Sequence, residues 1–176
     1  MHFLIGLFLF HLSFNYSFTW ETRTPKFHPK WIGTKPVSQI SYWKKELTKY
    51  PSNTKILSHI AYLYTQRGQL KNARRYLRLA SNKGASDSFY YLSKGLFHGA
   101  LQENTFAEKF LFKALLTNEQ EDPEYFFHFA EHLYRNGNTS KSIHWLQLGL
   151  KLHPSQPHLL ILLALNYISN SNWNGA

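Results

Sequence analysis

The chain has 176 residues, of which 43% are hydrophobic and 17% aromatic. This composition excludes a wholly disordered protein, because the apolar surface available for burial can offset the entropy lost on ordering the chain. The absence of cysteine excludes disulfide frameworks, thiolate zinc sites and cysteine nucleophiles. A formal net charge of +10 favours acidic partners or anionic surfaces.

The first 20 residues predict a signal peptide or a membrane anchor. Phe3 to Leu12 form an apolar block that is short for a bilayer span and suits the hydrophobic region of a secretory signal. Because no Lys or Arg precedes the block and no Ala-x-Ala site follows it, a buried N-terminal strand or helix is the alternative. We therefore expect an exported protein (periplasmic, lumenal or secreted) or one anchored to a membrane by its N-terminus.

Residues 21–37 are expected to form an extended linker. Three prolines occur there among lysines and threonines, and each proline removes a backbone donor and restricts the residue before it. A helical pattern begins at Ser38 and ends at Pro51, with apolar residues at three- and four-residue steps. These residues are Ile40, Trp43, Leu47 and Tyr50.

A run of small and large residues then returns at a fixed interval. Its small residue recurs as Ala61, Gly95, Ala130 and Ala164, which are separated by 34, 35 and 34 positions. A period in this range predicts stacked supersecondary units rather than one globular core. The predicted units are residues 54–87, 88–122 and 123–156, with a partial fourth unit at 157–176. In the same register, the helix that begins at Ser38 is half a unit that caps the N-terminal end.

Each full unit has two helical stripes around a turn. In the first unit, Ala61 and Tyr64 lie on the first helix, and Gly68 supplies the left-handed residue that ends it. The second helix of that unit carries the stripe Ala73, Leu77 and Ala80. The second unit has Gln102 at the place of the turn glycine and one additional residue before Pro123, which predicts a less regular joint.

These repeated residues resemble those of the tetratricopeptide-repeat family, over roughly residues 38–176. The sequence departs from the family pattern at Lys94, where leucine is usual, at His98, where tyrosine is usual, and at Ser142, where alanine is usual. The resemblance implies an all-α solenoid of helix–turn–helix repeats, about three full repeats with a half-repeat at each end. It also implies a non-catalytic scaffold that binds other proteins.

The resemblance further implies a binding groove on the concave face, lined by the first helix of each unit. In this register the groove is predicted to be apolar and aromatic with few charges, which suits an extended peptide or a partner helix. Neighbouring helices or the linker could instead fill it. The predicted groove residues are Tyr62, Gln66, Leu92, Leu96, Phe127, Glu131, Tyr134, Arg135, Ile161 and Leu165.

One subfamily of these proteins grips the terminal carboxylate of chaperone tails with a clamp of Lys, Asn and Arg residues. The corresponding positions here do not fit, and Glu124 would repel a carboxylate. These positions are Ser58, Tyr62, Ser93, Glu124 and His128. The sequence therefore disfavours an adaptor for chaperone tails.

Residues His128 to His132 match the H-x-x-E-H string of inverted zinc proteases, in which two histidines one turn apart ligate zinc. Such a site needs a further carboxylate ligand, and the sequence has no Asp or Glu after Glu131. The repeat register also accounts for both histidines as residues of a first helix. Since glycine-rich phosphate loops and G-x-S-x-G elbows are absent too, we expect no catalysis, no metal and no cofactor.

A basic patch is predicted on the outer side of the first unit, in a stretch between Glu46 and Asp87 that contains no acidic residue. It consists of Arg67, Lys71, Arg74, Arg75 and Arg78. A solvated helix face is the simpler interpretation, and an anionic membrane surface is a further candidate partner. Nucleic acid is disfavoured, because its single-strand readers place basic and stacking residues in one groove.

The fourth unit is predicted to supply only its first helix, Pro157 to Ile168, which is unusually apolar for the end of a stack. Self-association through this helix is therefore an alternative to partner binding. Another is that these repeats begin a longer exported enzyme, or a secretion or assembly component.

Overall fold

The computed structural model describes residues 36–119 and 121–173. The predicted signal peptide or anchor, and all but the last two residues of the predicted linker, lie outside the described residues. The chain divides into two compact units, Met1–Pro51 and Ser52–Ala176. In the described part of the first unit, the helix α1 spans Pro36–Lys49.

The second unit contains seven α-helices in its described residues, packed as antiparallel neighbours. We call α2, α4, α6 and α8 the A helices, and α3, α5 and α7 the B helices. The A helices are α2 (Thr54–Gln66), α4 (Ser88–Ala100), α6 (Pro123–Arg135) and α8 (Pro157–Trp173). The B helices are α3 (Leu70–Asn82), α5 (Asn104–Leu116) and α7 (Thr139–Leu152).

Three A helices begin at a side-chain cap. The Asn53 side chain accepts hydrogen bonds from the backbone N–H groups of Lys55 (3.0 Å) and Ile56 (3.2 Å). Asp87 caps α4 through the N–H of Tyr90 (3.0 Å), and Asp122 caps α6 through the N–H of Glu124 (3.1 Å). Each cap satisfies donors that the first turn of a helix leaves without an intrahelical acceptor.

The first three A helices end where the backbone enters the left-handed region. Gly68 has φ +68° after α2, and Gly137 has φ +77° after α6. Gln102 adopts φ +60° at the equivalent place after α4, although it has a side chain. The second repeat therefore keeps the turn geometry at the cost of backbone strain, which glycine avoids in the other two repeats.

The helix α8 continues to Trp173 instead of ending near Ile168 as expected. The reason is visible in the register, because Ser171 stands where Gly68, Gln102 and Gly137 end the earlier A helices. No left-handed residue interrupts the helix at that place, so it has 17 residues where the other three A helices have 13.

Each B helix packs between its own A helix and the next one, and α2 also packs against α4 as α6 does against α8. A small residue of the A helix lies at the centre of each A–B interface. Two of these residues, Ala61 and Ala130, are fully buried. The opposing stripes of the B helices are also buried. They are Ala73, Leu77 and Ala80; Ala107, Leu111 and Ala114; and Ser142, Leu146 and Gly149.

The departures from the repeat pattern find partners in this packing. The Lys94 ammonium group lies 4.3 Å from the centre of the Phe110 ring, so α4 packs on α5 through a cation–π contact at this place. The His98 ring stacks on the same Phe110 ring at 5.3 Å. The buried Ser142 hydroxyl donates a 2.8 Å hydrogen bond to the Ala130 carbonyl, so it adds a polar link between α7 and α6.

Candidate functional site

The predicted groove residues lie on the A helices, and their burial differs widely. Gln66, Arg135 and Ile161 are exposed, whereas Tyr62, Leu92 and Phe127 are buried. The remaining four are half-buried: Leu96, Glu131, Tyr134 and Leu165. We call the surface formed by these ten residues and the neighbours described next the A-helix face.

An aromatic cluster joins α2 to α4 on this face. The Tyr62 and Phe89 ring centres are 5.6 Å apart, and the His59 ring stacks on Phe89 at 5.3 Å. Both His59 and Tyr62 are buried. These residues fix one A helix against the next, since edge and stacked ring contacts add to the burial of apolar area.

Ionisable groups from α6 come close to this cluster. Burial raises the pKa of the Tyr62 phenol, and the negative charges of Glu124 and Glu131 raise it further. Both carboxylates therefore act electrostatically on a side chain that belongs to α2. The A-helix face thus carries more ionisable groups than the sequence suggested.

Glu131 is the centre of a short charged network. Its carboxylate lies 2.6 Å from the Arg135 guanidinium group and 3.9 Å from the His128 ring nitrogen. Burial alone would raise the pKa of Glu131, but the interactions with His128 and Arg135 outweigh it and hold the pKa below its usual value. Glu131 is consequently ionised at neutral pH.

Side chains also connect α6 with α8. The Phe127 and His158 rings meet edge to face at 5.4 Å, and a His158 ring nitrogen lies 4.0 Å from the Glu124 carboxylate. The Tyr134 hydroxyl and the Ser169 hydroxyl share a 2.9 Å hydrogen bond. The structure therefore brings Phe127 and Tyr134 of the predicted set into one surface with α8.

The sequence reasoning did not include Phe89 and His158 among the groove residues, and it treated Glu124 only as a failed clamp position. All three stand at the second position of their units, 35 and 34 residues apart. That shared register position was the available signal. His59 had no such signal, because its contact with Phe89 depends on how α2 and α4 pack.

The positions of the chaperone clamp are occupied by side chains with internal roles. The Ser58 hydroxyl donates to the Thr54 carbonyl and the Ser93 hydroxyl to the Phe89 carbonyl, each at 2.8 Å. Neither serine is exposed. Each hydroxyl group therefore forms its hydrogen bond within its own helix.

The two histidines of the H-x-x-E-H string have different surroundings. His128 is buried beside Glu131, whereas a ring nitrogen of His132 lies 3.3 Å from the Asn104 carbonyl at the start of α5. Burial lowers the pKa of His132. In the part of the chain that the structure describes, no group of three or more His, Cys, Asp or Glu residues could hold a metal ion.

The five residues of the predicted basic patch are all exposed. Four of them lie on α3, on the side away from its buried stripe, and Arg67 follows the last residue of α2. The Arg74 guanidinium carbon also lies 5.7 Å from the centre of the Phe97 ring. Among the described helices, none is both long and apolar enough to cross a lipid bilayer.

Solved structures share this arrangement of paired helices. TTC0263, a thermophilic TPR protein of Thermus thermophilus, aligns with a TM-score of 0.65 at 18% identity, over 73% of this chain and 71% of that one. The fold is that of the tetratricopeptide repeat. The predicted resemblance and the all-α class are thus confirmed for the described residues, although no protein-family model and no curated protein matches the sequence.

Two further tetratricopeptide-repeat structures bear on peptide binding. YrrB, described as a TPR protein with an unusual peptide-binding site, aligns with a TM-score of 0.57 at 17% identity, over 78% of this chain and 70% of that one. The Yersinia enterocolitica type III secretion chaperone SycD was solved with a peptide of the translocator YopD. It aligns with a TM-score of 0.55 at 19% identity, over 66% of this chain and 93% of that one.

Proposed function

We propose that this protein is a non-catalytic scaffold that holds a peptide or a partner helix on its A-helix face. The observation that carries the proposal is the composition of this face. It combines half-buried apolar and aromatic side chains with the ionised Glu131 and the exposed Gln66 and Arg135, across successive A helices. Apolar groups supply binding energy on such a surface, and the few polar groups fix the register of the ligand.

The fold supports this proposal. The same architecture carries a peptide in the SycD complex and a described peptide-binding site in YrrB. Export or anchoring by residues 1–20 belongs to the proposal as well, and it rests on the apolar block at the N-terminus. The buried residues of the face, such as Phe127, support the fold as well as any ligand, so they are poor choices for a binding test.

A selection from a library of random 12-residue peptides on the purified protein provides the ligand for the test. We expect Tyr134→Ala and Leu96→Ala each to weaken binding of the selected peptide about fivefold or more, because both side chains are partly exposed on the A-helix face. Arg78→Ala and Lys71→Ala, on the exposed side of the B helix α3, are the matched controls. Calorimetric titration measures the affinity, and circular dichroism checks that each variant is folded.

If both face variants bind the peptide as tightly as the unchanged protein while remaining folded, the A-helix face is not the binding surface. If the α3 variants alone weaken binding, the ligand contacts the basic patch instead. Either result contradicts the proposal.

A second candidate function is supported by the exposure of all five basic residues of the patch. Such a surface attracts anionic lipid headgroups, each nearby cation contributing about 1 kcal/mol. Cosedimentation with phosphatidylserine vesicles should then fall steeply between low and high salt, and Arg75→Glu should reduce it at low salt. Equal sedimentation with neutral phosphatidylcholine vesicles would remove this candidate.

A further inference from the structure

The A helices differ from the B helices in charge. The B helices α3, α5 and α7 together carry eight lysine or arginine residues and one glutamate, Glu108. The four A helices carry three such cations and two carboxylates, and both carboxylates belong to α6. Little of the net charge of +10 therefore comes from the A helices, so a ligand of the A-helix face meets a different charge from a ligand of the B helices.

Among the cations of the A helices, Arg135 lies beside a carboxylate and contacts Glu131 at 2.6 Å. The Arg135 side chain is 73% exposed, and an ion pair at such an exposed position contributes little to stability. The Lys94 ammonium group instead lies 4.3 Å from the centre of the Phe110 ring of α5. Arg135 can therefore turn into solvent at little cost when a cation of a ligand approaches Glu131.

The two carboxylates of α6 act on one region of the A-helix face, and both are partly exposed. Glu124 lies 4.0 Å from the His158 ring of α8. Burial is the largest cause of the raised pKa of the Tyr62 phenol, and the charges of Glu124 and Glu131 add to it. Since Tyr62 belongs to α2, the negative potential of α6 extends across the intervening helix α4. A positive group of a ligand that lies over α4 is therefore stabilised.

Among the described A helices, α4 and α6 are the neighbours that approach each other least, whereas α2 packs along α4 and α6 packs on α8. The Ser88 hydroxyl of α4 donates a 3.2 Å hydrogen bond to the Tyr125 hydroxyl of α6, in the first turn of each helix. Further along α4, the half-buried Leu96 stands between Tyr62 and Glu131 in the stack, at the same register position. An apolar side chain next to a carboxylate suits a long methylene stem that ends in a cation.

We propose that the ligand of the A-helix face is a basic peptide, with a lysine or arginine side chain that crosses Leu96 and places its cation between Glu124 and Glu131. This proposal rests on the proposed function, because it names the chemistry of the ligand of the same face. Leu96 packs against the methylene groups of the stem, and the two carboxylates accept hydrogen bonds from the cation. The basic patch on α3 repels the same peptide, so the two surfaces select ligands of opposite charge.

The net charge of the protein has the opposite preference. A charge of +10 by itself attracts acidic ligands over long distances. On the A-helix face, however, an acidic ligand meets Glu124 and Glu131. The sign of the charge that this face selects therefore separates the effect of the two carboxylates from the effect of the whole protein.

The test uses peptides selected from the random 12-residue library on the full chain. Selection at about 0.15 M salt screens exposed charges that are more than about 8 Å apart. Among peptides that bind the unchanged protein more tightly than the Tyr134→Ala variant, we expect lysine and arginine to be about twice as frequent as in the unselected library. An equal or lower frequency, or an enrichment of acidic residues, would overturn the proposal.

Matched peptides then locate the cation. Each lysine or arginine of one selected peptide is replaced in turn by glutamine, and we expect one replacement to weaken binding about fivefold in calorimetric titration. With the double variant Glu124→Gln and Glu131→Gln, the same replacement should change the affinity less than twofold, because the charges that it meets are gone. Each single variant should show part of this loss, so the result does not depend on the double variant being folded.

The control variant is Glu108→Gln on the B helix α5, whose carboxylate is partly exposed and lies 3.9 Å from Lys141. It removes one negative charge outside the A-helix face, and it should keep the fivefold difference between the two peptides. Circular dichroism checks that every variant is folded.

The two proposals fail in different ways. If neither Tyr134→Ala nor Leu96→Ala weakens any selected peptide, the A-helix face is not the binding surface and both proposals are wrong. If such peptides are found, but the glutamine replacements have equal effects on the unchanged protein and on the double variant, the face binds a peptide and only the basic-ligand proposal is wrong.

Discussion

The first two repeats have the same helix–turn–helix geometry, but their glycines stand in different places. In the α2–α3 pair, alanine stands at the helix interface (Ala61) and glycine at the turn (Gly68). In the α4–α5 pair, glycine stands at the interface (Gly95) and glutamine at the turn (Gln102). Both pairs nevertheless have a left-handed turn residue and a tightly packed centre.

This comparison shows that position in the repeat does not by itself determine the residue. The distance between the two helices decides whether a methyl group fits at the interface. A Cβ on Gly95 would lie 2.9 Å from the backbone nitrogen of Leu111, whereas the first pair accommodates the Cβ of Ala61. The helices α4 and α5 are therefore packed too closely at this place to accept alanine.

The largest effect is expected for Gly95→Ala. Alanine ordinarily stabilises a helix interior by about 1 kcal/mol relative to glycine. Here the new methyl group meets the backbone of α5, and we expect the free energy of unfolding to fall by about 2 kcal/mol. Urea denaturation followed by circular dichroism measures this change.

Gly99→Ala is the control for that prediction. It lies one turn further along α4, where a Cβ would be 3.9 Å from the Cβ of Ala107, an ordinary contact. This substitution should leave stability unchanged or raise it. Equal effects at Gly95 and Gly99 would show that close packing is not the reason for glycine at Gly95.

The converse change, Ala61→Gly, should cost about 1.5 kcal/mol. Part of this is the helix propensity that glycine lacks, and part is the loss of a fully buried methyl group. The measurement is again urea denaturation. Ala100→Gly, at the exposed last residue of α4, should cost much less; an equal loss there would mean that α2 gains nothing from burying the Ala61 methyl group.

At the turn, Gly68→Ala should lower the free energy of unfolding by about 1 kcal/mol. Nothing lies within 4 Å of the position of a new Cβ, so the expected cost comes from the left-handed backbone alone. Thermal denaturation of the two proteins would show the difference. An unchanged melting temperature would mean that the turn adopts another conformation at little cost.

The smallest effect is expected for Gln102→Gly, and it is a gain in stability. Glycine relieves the strain at φ +60°, while it increases the entropy of the unfolded chain, so the net gain is about 0.5 kcal/mol. Thermal denaturation measures it. The same exchange at Gln66, the last residue of α2, should be destabilising, and a loss of stability at Gln102 as well would contradict the interpretation of this turn as strained.

The fold was predictable because the repeat appears in the sequence as a spacing. Small and large residues at a period of 34 or 35 positions indicate paired helices, and glycines at matching places indicate the turns. The end of α8 was not predicted. The sequence suggested a helix to Ile168, and the absence of a left-handed residue at Ser171 lets it run to Trp173.

The candidate site was predictable only as a set of positions on the A helices. The register located Tyr62, Phe127 and Glu131 on one surface, but it did not indicate that Tyr62 and Phe127 are buried. It also gave no sign that Glu124 and Glu131 act on Tyr62, since that depends on the distance between α2 and α6. Side-chain burial depends on neighbours that are far apart in the chain, in the preceding or following repeat.

The sequence by itself determined the helical class, the repeat and the turn positions, because each depends on local spacing and on backbone conformations that a few residue types allow. Only the tertiary structure decided which positions lie in a close helix–helix contact, as Gly95 does, and which are exposed among the described residues, as Ala164 is. Both residues are the eighth of their helices, α4 and α8. Within the part of the chain that the structure describes, they differ in whether a second helix packs against them, and that is a property of the assembled helices.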